Sequence, residues 1–426
     1  MQSQSKQLLS SRLQTVLERW TAGDTAVLHQ FWHEMKTQGT PLIEPISENN
    51  GSYLVTFLWR DEGRSLDGVC LTEGPAGFDF HLGQMARLVD TDIWFRSYQM
   101  PGDTVMLYHL SPNNPPPAWG SPEWADLWDE FEPEVFQFDL LNPLRHADGS
   151  VLRLPDALAE PRFDELPDEQ TGQMHIHDFE NNALGSMRRA RVYTPADYEA
   201  HGRSYPWLLL FDGSTYADAI ATTMLDNLVA QNIIPPLVVV FVNGAWEDRG
   251  KDLSCNLAFN QFLVHEMLPW LRANFKVSDD PAETAVGGFS FGGLAAAFTA
   301  YQHPDIFGNV LAQGDFFQWS PEMNLHGLAH DTRSPASTGW LIRQFVETDR
   351  LPLRFHLDVG TYDFNGQPEL HSNMLMANRH LRDVLQAKGY EVDYVEFNGG
   401  HDFVGWRRAL PKALSWLMSN KGHYWK

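Results

Sequence analysis

The chain has 426 residues, 43% of them hydrophobic, 12% aromatic and only 20% charged, which excludes a disordered or fibrous protein and suits about two globular domains. Its formal net charge is −24, from 31 Lys and Arg against 55 Asp and Glu, so neither nucleic acid nor an anionic membrane surface is expected as a partner. Leu8, Leu9, Leu13, Val16, Leu17 and Trp20 recur at helical spacing, and Leu28, Phe31, Trp32 and Met35 do so after Gly23-Asp24, so two short helices open the chain. The opening stretch MQSQSKQLLSSRLQTVLERW lacks an unbroken apolar segment and a cleavage site, and no later stretch is long enough to span a bilayer. Cytoplasm is the expected location. Cys70 and Cys255 form no disulfide framework, which fits a reducing compartment.

From about Gly51 the pattern changes to short apolar or alternating runs at 53–59, 69–71, 78–82, 93–98 and 105–110, separated by turn sequences such as Pro101-Gly102-Asp103. Strands at this spacing predict an antiparallel, immunoglobulin-like β-sandwich. Two stretches rich in Pro and acid, 111–134 and 154–169, cannot carry an interior strand and read as surface connections. The second holds the expected boundary between an N-terminal module, 1–165, and a second domain, 172–426. In that domain strands are predicted at 187–193, 207–211, 237–242, 284–289, 309–313, 353–359 and 391–397. Helices are predicted at 217–231, 257–275, 292–303, 339–347, 369–388 and 405–418. Apolar strands alternating with helices predict an α/β fold with a mostly parallel sheet, whose ligands bind at the carboxyl ends of the strands.

Chemistry concentrates at Gly288-Phe289-Ser290-Phe291-Gly292, which lies between the predicted strand TAVGGF and a predicted helix. This is the G-x-S-x-G nucleophile elbow in its confirming context, and it defines an α/β-hydrolase. Ser290 needs a histidine base oriented by a carboxylate, in the chain order Ser, acid, His. His401 follows the last strand in a glycine-loosened loop and is the base chosen. Asp363, just past the penultimate strand, is favoured as the acid over Asp358, inside that strand, and Glu369, at the start of the next helix. The oxyanion hole is expected from the N–H of Phe291 and one from the loop after WLLLFDG, with Gly213 and Ser214 as candidates. Arg249, expected on a loop after VVVFVNG, is read either as a grip for an anionic or phenolate ligand or as a surface ion pair. His175 and His177 face one way on a strand, but with no third ligand they read as packing residues rather than a metal site.

These motifs resemble the enterochelin esterase family of ferric siderophore lactone hydrolases. In the catalytic half the resemblance rests on GGFSFGGLAA, RGKDLSCNLAFNQFLVHEMLPWL, LPLRFHLDVGTYD and GGHDFVGWR. In the N-terminal half it rests on VTFLWRD, MARLVDTDIWFRS and FDLLNPLRH. It implies a serine esterase that opens the trilactone of a ferric catecholate siderophore such as enterobactin in the cytoplasm, releasing dihydroxybenzoylserine and helping to free iron. It implies Ser290, His401 and Asp363 as the triad, with Asp363 where the family often has Glu, and Arg249, Arg407 and Asn256 as substrate-binding residues. No cofactor or metal of its own is implied, since iron enters with the substrate, and the N-terminal module is expected to shape the pocket. Two other readings are a feruloyl, acetyl or thioester hydrolase of the esterase D type with a carbohydrate-binding module, and a ligand-binding protein on a hydrolase scaffold.

Overall fold

The computed structural model describes residues 10–46, 51–63, 66–77, 80–113, 137–158, 163–180, 182–198, 202–243, 246–321, 339–363 and 374–418. Helices Ser11–Thr21 and Val27–Gln38 open them, the first capped by Ser10, whose Oγ accepts the Leu13 N–H at 2.9 Å. Strands β1 (Leu42–Pro45), β2 (Ser52–Arg60), β3 (Val69–Glu73), β4 (Ala86–Arg87), β5 (Ile93–Pro101), β6 (Val105–Pro112), β7 (Arg145–His146) and β8 (Gly149–Arg153) follow. They form two four-stranded antiparallel sheets, β1-β2-β5-β4 and β3-β6-β8-β7. Val55, Phe57, Leu71, Met106, Tyr108 and Leu152 fill the space between the sheets. Phe31, Trp32 and Met35 of the second helix cover the outer face of the first sheet through Leu58, Ile93 and Phe95.

The run predicted as a strand at 78–82 is different. Residues 78–79 lie outside the described residues, and Phe80–Gly83 is one helical turn. A Cβ on Gly83 would meet the Leu71 carbonyl oxygen at 2.0 Å, so glycine lets this turn sit directly on β3.

The second half contains β9 (Gln173–Phe179), β10 (Arg188–Thr194), β11 (Trp207–Phe211), β12 (Val238–Asn243), β13 (Thr284–Phe289), β14 (Asn309–Gln313), β15 (Arg354–Gly360) and β16 (Glu391–Phe397). They make one eight-stranded sheet in the order β16-β15-β14-β13-β11-β12-β10-β9. The strands from β11 to β16 are parallel, and β9 and β10 close one edge antiparallel. WLLLF of β11 is buried along its whole length, as expected of a strand covered on both faces. One face carries a core of Leu209, Val240, Val286, Phe298 and Phe355, and the other a core of Leu208, Val239, Leu311, Trp406 and Leu414. The helix expected over 257–275 is present with an inserted π-turn, Leu263–Met267, between Leu257–Phe262 and Leu268–Asn274. Among the described residues no helix is long and apolar enough to cross a membrane. Neither Cys70 nor Cys255 is in a disulfide.

Candidate active site

β13 ends at Phe289 and the helix Phe291–Gln302 starts two residues later, so Ser290 alone makes the turn. Its backbone sits at φ 54°, ψ −121°, a strained conformation for a residue with a side chain. The glycines around it are required by close approach. A Cβ on Gly288 would lie 2.5 Å from the Gly292 carbonyl carbon, one on Gly292 would lie 2.9 Å from Asp212 Oδ2, and one on Gly293 would overlap Asp315. Ser290 N–H donates to the Gln313 carbonyl at 3.0 Å, which ties the turn to β14. The Leu294 N–H bonds the Ser290 carbonyl at 3.3 Å, so the N–H groups of Phe291, Gly292 and Gly293 crown the helix N-terminus.

Because β13, β15 and β16 are parallel members of one sheet, their carboxyl ends share one edge, and the loops after them meet there. His401 Nδ1 lies 3.0 Å from Asp363 Oδ1, with the imidazole 18% exposed and the carboxylate 0% exposed. Asp363 is held by its own backbone, its N–H donating to Gly360 O at 3.1 Å and its carbonyl accepting the Leu375 N–H at 3.2 Å. Trp406 stands edge-on to His401 with ring centroids 4.9 Å apart, and stacks on Phe289 at 4.5 Å. Gly314, at φ +60°, leaves room for this group: a Cβ there would meet Trp406 Nε1 at 2.7 Å and Asp363 Oδ2 at 2.9 Å.

Asp358 faces another network. Its Oδ2 accepts from Gln313 Nε2 at 2.8 Å and pairs with His356 Nε2 at 3.2 Å, while His356 Nδ1 lies 2.8 Å from Asp393. Burial pushes the Asp358 carboxyl above its usual range. Glu369 lies outside the described residues. Of the three acids considered, the described geometry brings Asp363 to His401.

Helix Gly213–Ala230 starts directly after β11, and Asp212 before it adopts a left-handed conformation. A Cβ on Gly213 would lie 2.6 Å from the Phe241 carbonyl carbon and the Val242 nitrogen, so only glycine fits. Ser214 Oγ accepts from Asn243 Nδ2 at 2.7 Å. The close approach of Asp212 to Gly292 brings this helix N-terminus beside that of the elbow, and both favour negative charge developing there.

The three expected binding residues are placed differently. Arg249 is on a helix, Trp246–Leu253, rather than a loop, and forms a two-pronged pair with Asp212 at 2.6 and 2.7 Å. Its charge is therefore matched by a carboxylate at the elbow, in an ion pair that is part-buried rather than on the surface. Asn256 is a helix cap: its Oδ1 accepts from the N–H groups of Ala258 and Phe259, and its Nδ2 donates to Lys251 O. Arg407 lies on the helix Phe403–Met418, where its charge acts on His146 of β7. His175 and His177 pack, the first against Phe275 and Thr194, the second stacked on Trp270 at 4.2 Å.

Three residues near the site drew no role from sequence. Gln313 links the elbow to Asp358, the Trp406 carbonyl and Tyr216, and a polar residue ending the apolar strand NVLAQ was the available signal. Asp315 is fully buried, and burial beside Asp358 and Asp363 pushes its carboxyl well up. Asp402, adjacent to the histidine, accepts backbone N–H groups from Leu107 and Gly405, each at 3.1 Å.

A parallel sheet of this order with a strained serine turn at its carboxyl edge places the protein among the esterases of the α/β-hydrolase class. Residues 181–417 match the esterase family and residues 54–163 the enterochelin esterase N-terminal family. The iron(III) enterobactin esterase of Dickeya dadantii is 27% identical over 436 residues, covering 95% of both chains. The iron(III) salmochelin esterase of Escherichia coli O6:H1 is 26% identical, covering 96% of this chain and 98% of its own. The crystal structure of ferric enterobactin esterase from Salmonella typhimurium superposes with a TM-score of 0.70 at 27% identity, covering 91% of this chain and 98% of that one. The chain belongs to the enterochelin esterase family.

Proposed function

We propose that this esterase hydrolyses the lactone bonds of a ferric catecholate trilactone siderophore such as enterobactin, in the cytoplasm, with Ser290 as nucleophile, His401 as general base and Asp363 as its orienting acid. The observation that carries the reading is the His401–Asp363 hydrogen bond at the sheet edge that bears the strained Ser290 turn. Asp363 fixes the imidazole tautomer that carries its proton on Nδ1, leaving Nε2 to accept the Ser290 proton as Oγ attacks the ester carbonyl. The oxyanion is met by the N–H of Phe291, with Gly213 or Ser214 supplying the second donor. His401 then protonates the leaving seryl alkoxide, and water, activated by the same base, releases the acyl group and restores Ser290.

The substrate class is supported by similarity to enterobactin and salmochelin esterases along nearly the whole chain, the N-terminal module included. In this reading residues 1–165 form one wall of the pocket and residues 172–426 supply the chemistry. The test is turnover of ferric and iron-free cyclic trilactones followed by chromatography, with a feruloylated sugar ester alongside. Release of linear dihydroxybenzoylserine oligomers, abolished by Ser290→Ala and His401→Ala, is the expected result. Cleavage of the sugar ester with trilactones untouched would establish the feruloyl esterase reading instead, and a protein inert to both and to fluorophosphonate labelling would be a binding protein.

A further inference from the structure

Strand β6 has two different neighbours along one edge. β8 accompanies it on one side, pairing with Val105 to Tyr108, and β3 accompanies it on the other, but only from Tyr108 to Pro112. Where β3 stops, the loop that bears His401 takes over. Val105 N–H donates to the Asn398 carbonyl at 3.0 Å, and Leu107 N–H donates to Asp402 Oδ2 at 3.1 Å. Side chains reinforce the seam, with Asn398 Nδ2 on Asp103 Oδ1 at 2.7 Å and Val105, Leu107 and Val404 in one apolar cluster. Residues on both flanks of His401 are thereby fixed to a strand of the other half of the molecule. Gly399 and Gly400, which would otherwise leave this loop loose, accept the arrangement because they lack side chains: a Cβ on Gly399 would meet the Val105 carbonyl at 3.0 Å.

We propose that Asp402 is a positioning residue, through which the edge of β6 holds the His401 imidazole in register with Asp363 and Ser290. The N-terminal module then acts on the chemistry of every ester, large or small, and not only on the binding of a large one. This rests on the reading of His401 as the base. Asp402 is buried and uses both oxygens, Oδ2 for Leu107 and Oδ1 for Gly405, so the ionised form satisfies both donors and a proton on either oxygen costs one of them. Burial raises its pKa to about 6, against the backbone N–H groups of Leu107 and Gly405. The charged groups facing it are Glu73 at the end of β3, which raises it further and is itself bonded to His109, the neighbouring His401, which lowers it, and His146 of β7, flanked by Asp148 and Arg407.

The experiment uses full-length protein, p-nitrophenyl acetate as a substrate too small to need the pocket, and the pH profile of kcat/KM. Asp402→Asn should lower kcat roughly 10- to 100-fold with KM changed less than about twofold. Its acid limb should fall with a single proton where the wild type falls more steeply, an effect that a purely structural role would not produce. Asp103→Ala, at an exposed position, should leave the fold intact and lower kcat about two- to fivefold by loosening Asn398, which keeps its bond from Thr361. Wild-type kcat and an unchanged acid limb in a folded Asp402→Asn protein would overturn the proposal. If that variant does not fold, an unchanged kcat in Asp103→Ala would do so. His401→Ala in the same assay separates the failures: if it stays active the triad itself is wrong and the clamp falls with it, whereas if it is inactive and Asp402→Asn is unimpaired, only the clamp is wrong.

Discussion

Replacing Asp363 by Asn removes one charge and almost no volume, which makes it a sharp probe of the site. In the proposed triad His401 becomes an imidazolium as it takes the serine proton, and its Nδ1 lies 3.0 Å from Asp363 Oδ1. At an effective dielectric of about 20, unit charges at that separation attract by about 5 kcal/mol. Lost from the transition state, this is roughly a ten-thousandfold fall in kcat/KM. A second effect acts in the same direction, because an amide N–H turned toward the ring selects the tautomer that cannot accept the serine proton. Stability should move the other way or not at all, since the variant exchanges a fully buried carboxylate for a neutral group. The assay is steady-state hydrolysis of the trilactone and of p-nitrophenyl acetate, with urea unfolding in parallel. Asp358→Asn is the control: it disturbs the Gln313–His356 network and should cost stability while leaving kcat/KM within about a factor of ten. Retention of more than about a tenth of wild-type activity by Asp363→Asn, or a greater loss in Asp358→Asn, would refute the assignment of the orienting acid.

Arg249→Ala leaves the Asp212 carboxylate uncompensated beside the elbow, so p-nitrophenyl acetate and the trilactone should both lose roughly 10- to 100-fold in kcat/KM; a loss confined to KM for the anionic substrate would show that Arg249 acts by attraction instead. Arg188 and Asp252 form a pair 1% and 3% exposed, and Asp252→Ala should destabilise the fold by about 3–5 kcal/mol, read from the urea midpoint, because it strands a buried guanidinium. Asp402 has its folded pKa raised from 3.8 to about 6, so it contributes stability below pH 4 that is lost as pH rises through 6. Between pH 4 and 7 the unfolding free energy should shift in favour of Asp402→Asn over the wild type by up to about 3 kcal/mol, and a difference independent of pH would show that Asp402 does not titrate there.

Elements buried on both faces were the most legible, because an unbroken apolar run leaves little choice of where a strand begins. The expectations at 207–211, 284–289 and 309–313 coincide with β11, β13 and β14. Short or half-exposed runs were harder to read. Five apolar-rich residues at 78–82 suit a strand or a helical turn equally, and local packing on β3 chose the turn for residues 80–83. Trp246–Leu253 is a helix although its sequence, WEDRGKDL, is mostly charged. The serine turn was readable because its glycines are a local steric requirement. That His401 meets Asp363 was expected from the order Ser, acid, His and from their places on the loops after the last two strands. What sequence could not convey was how charges pair across the fold: Arg249 with Asp212, and Asp402 with a strand of the other half. Each depends on residues far away in the chain that meet only after packing.

The bond between Leu107 and Asp402 spans 295 positions, and this has a consequence for how the protein is made. A ribosome finishes β6 and its partners β3 and β8 long before it reaches the last strand of the large sheet. Until the loop after that strand is made, the N–H groups of Val105 and Leu107 lack the acceptors they have in the fold. With His401 as the proposed base, esterase activity has to wait for the histidine loop, and the short row of donors that receives that loop is until then an open strand edge.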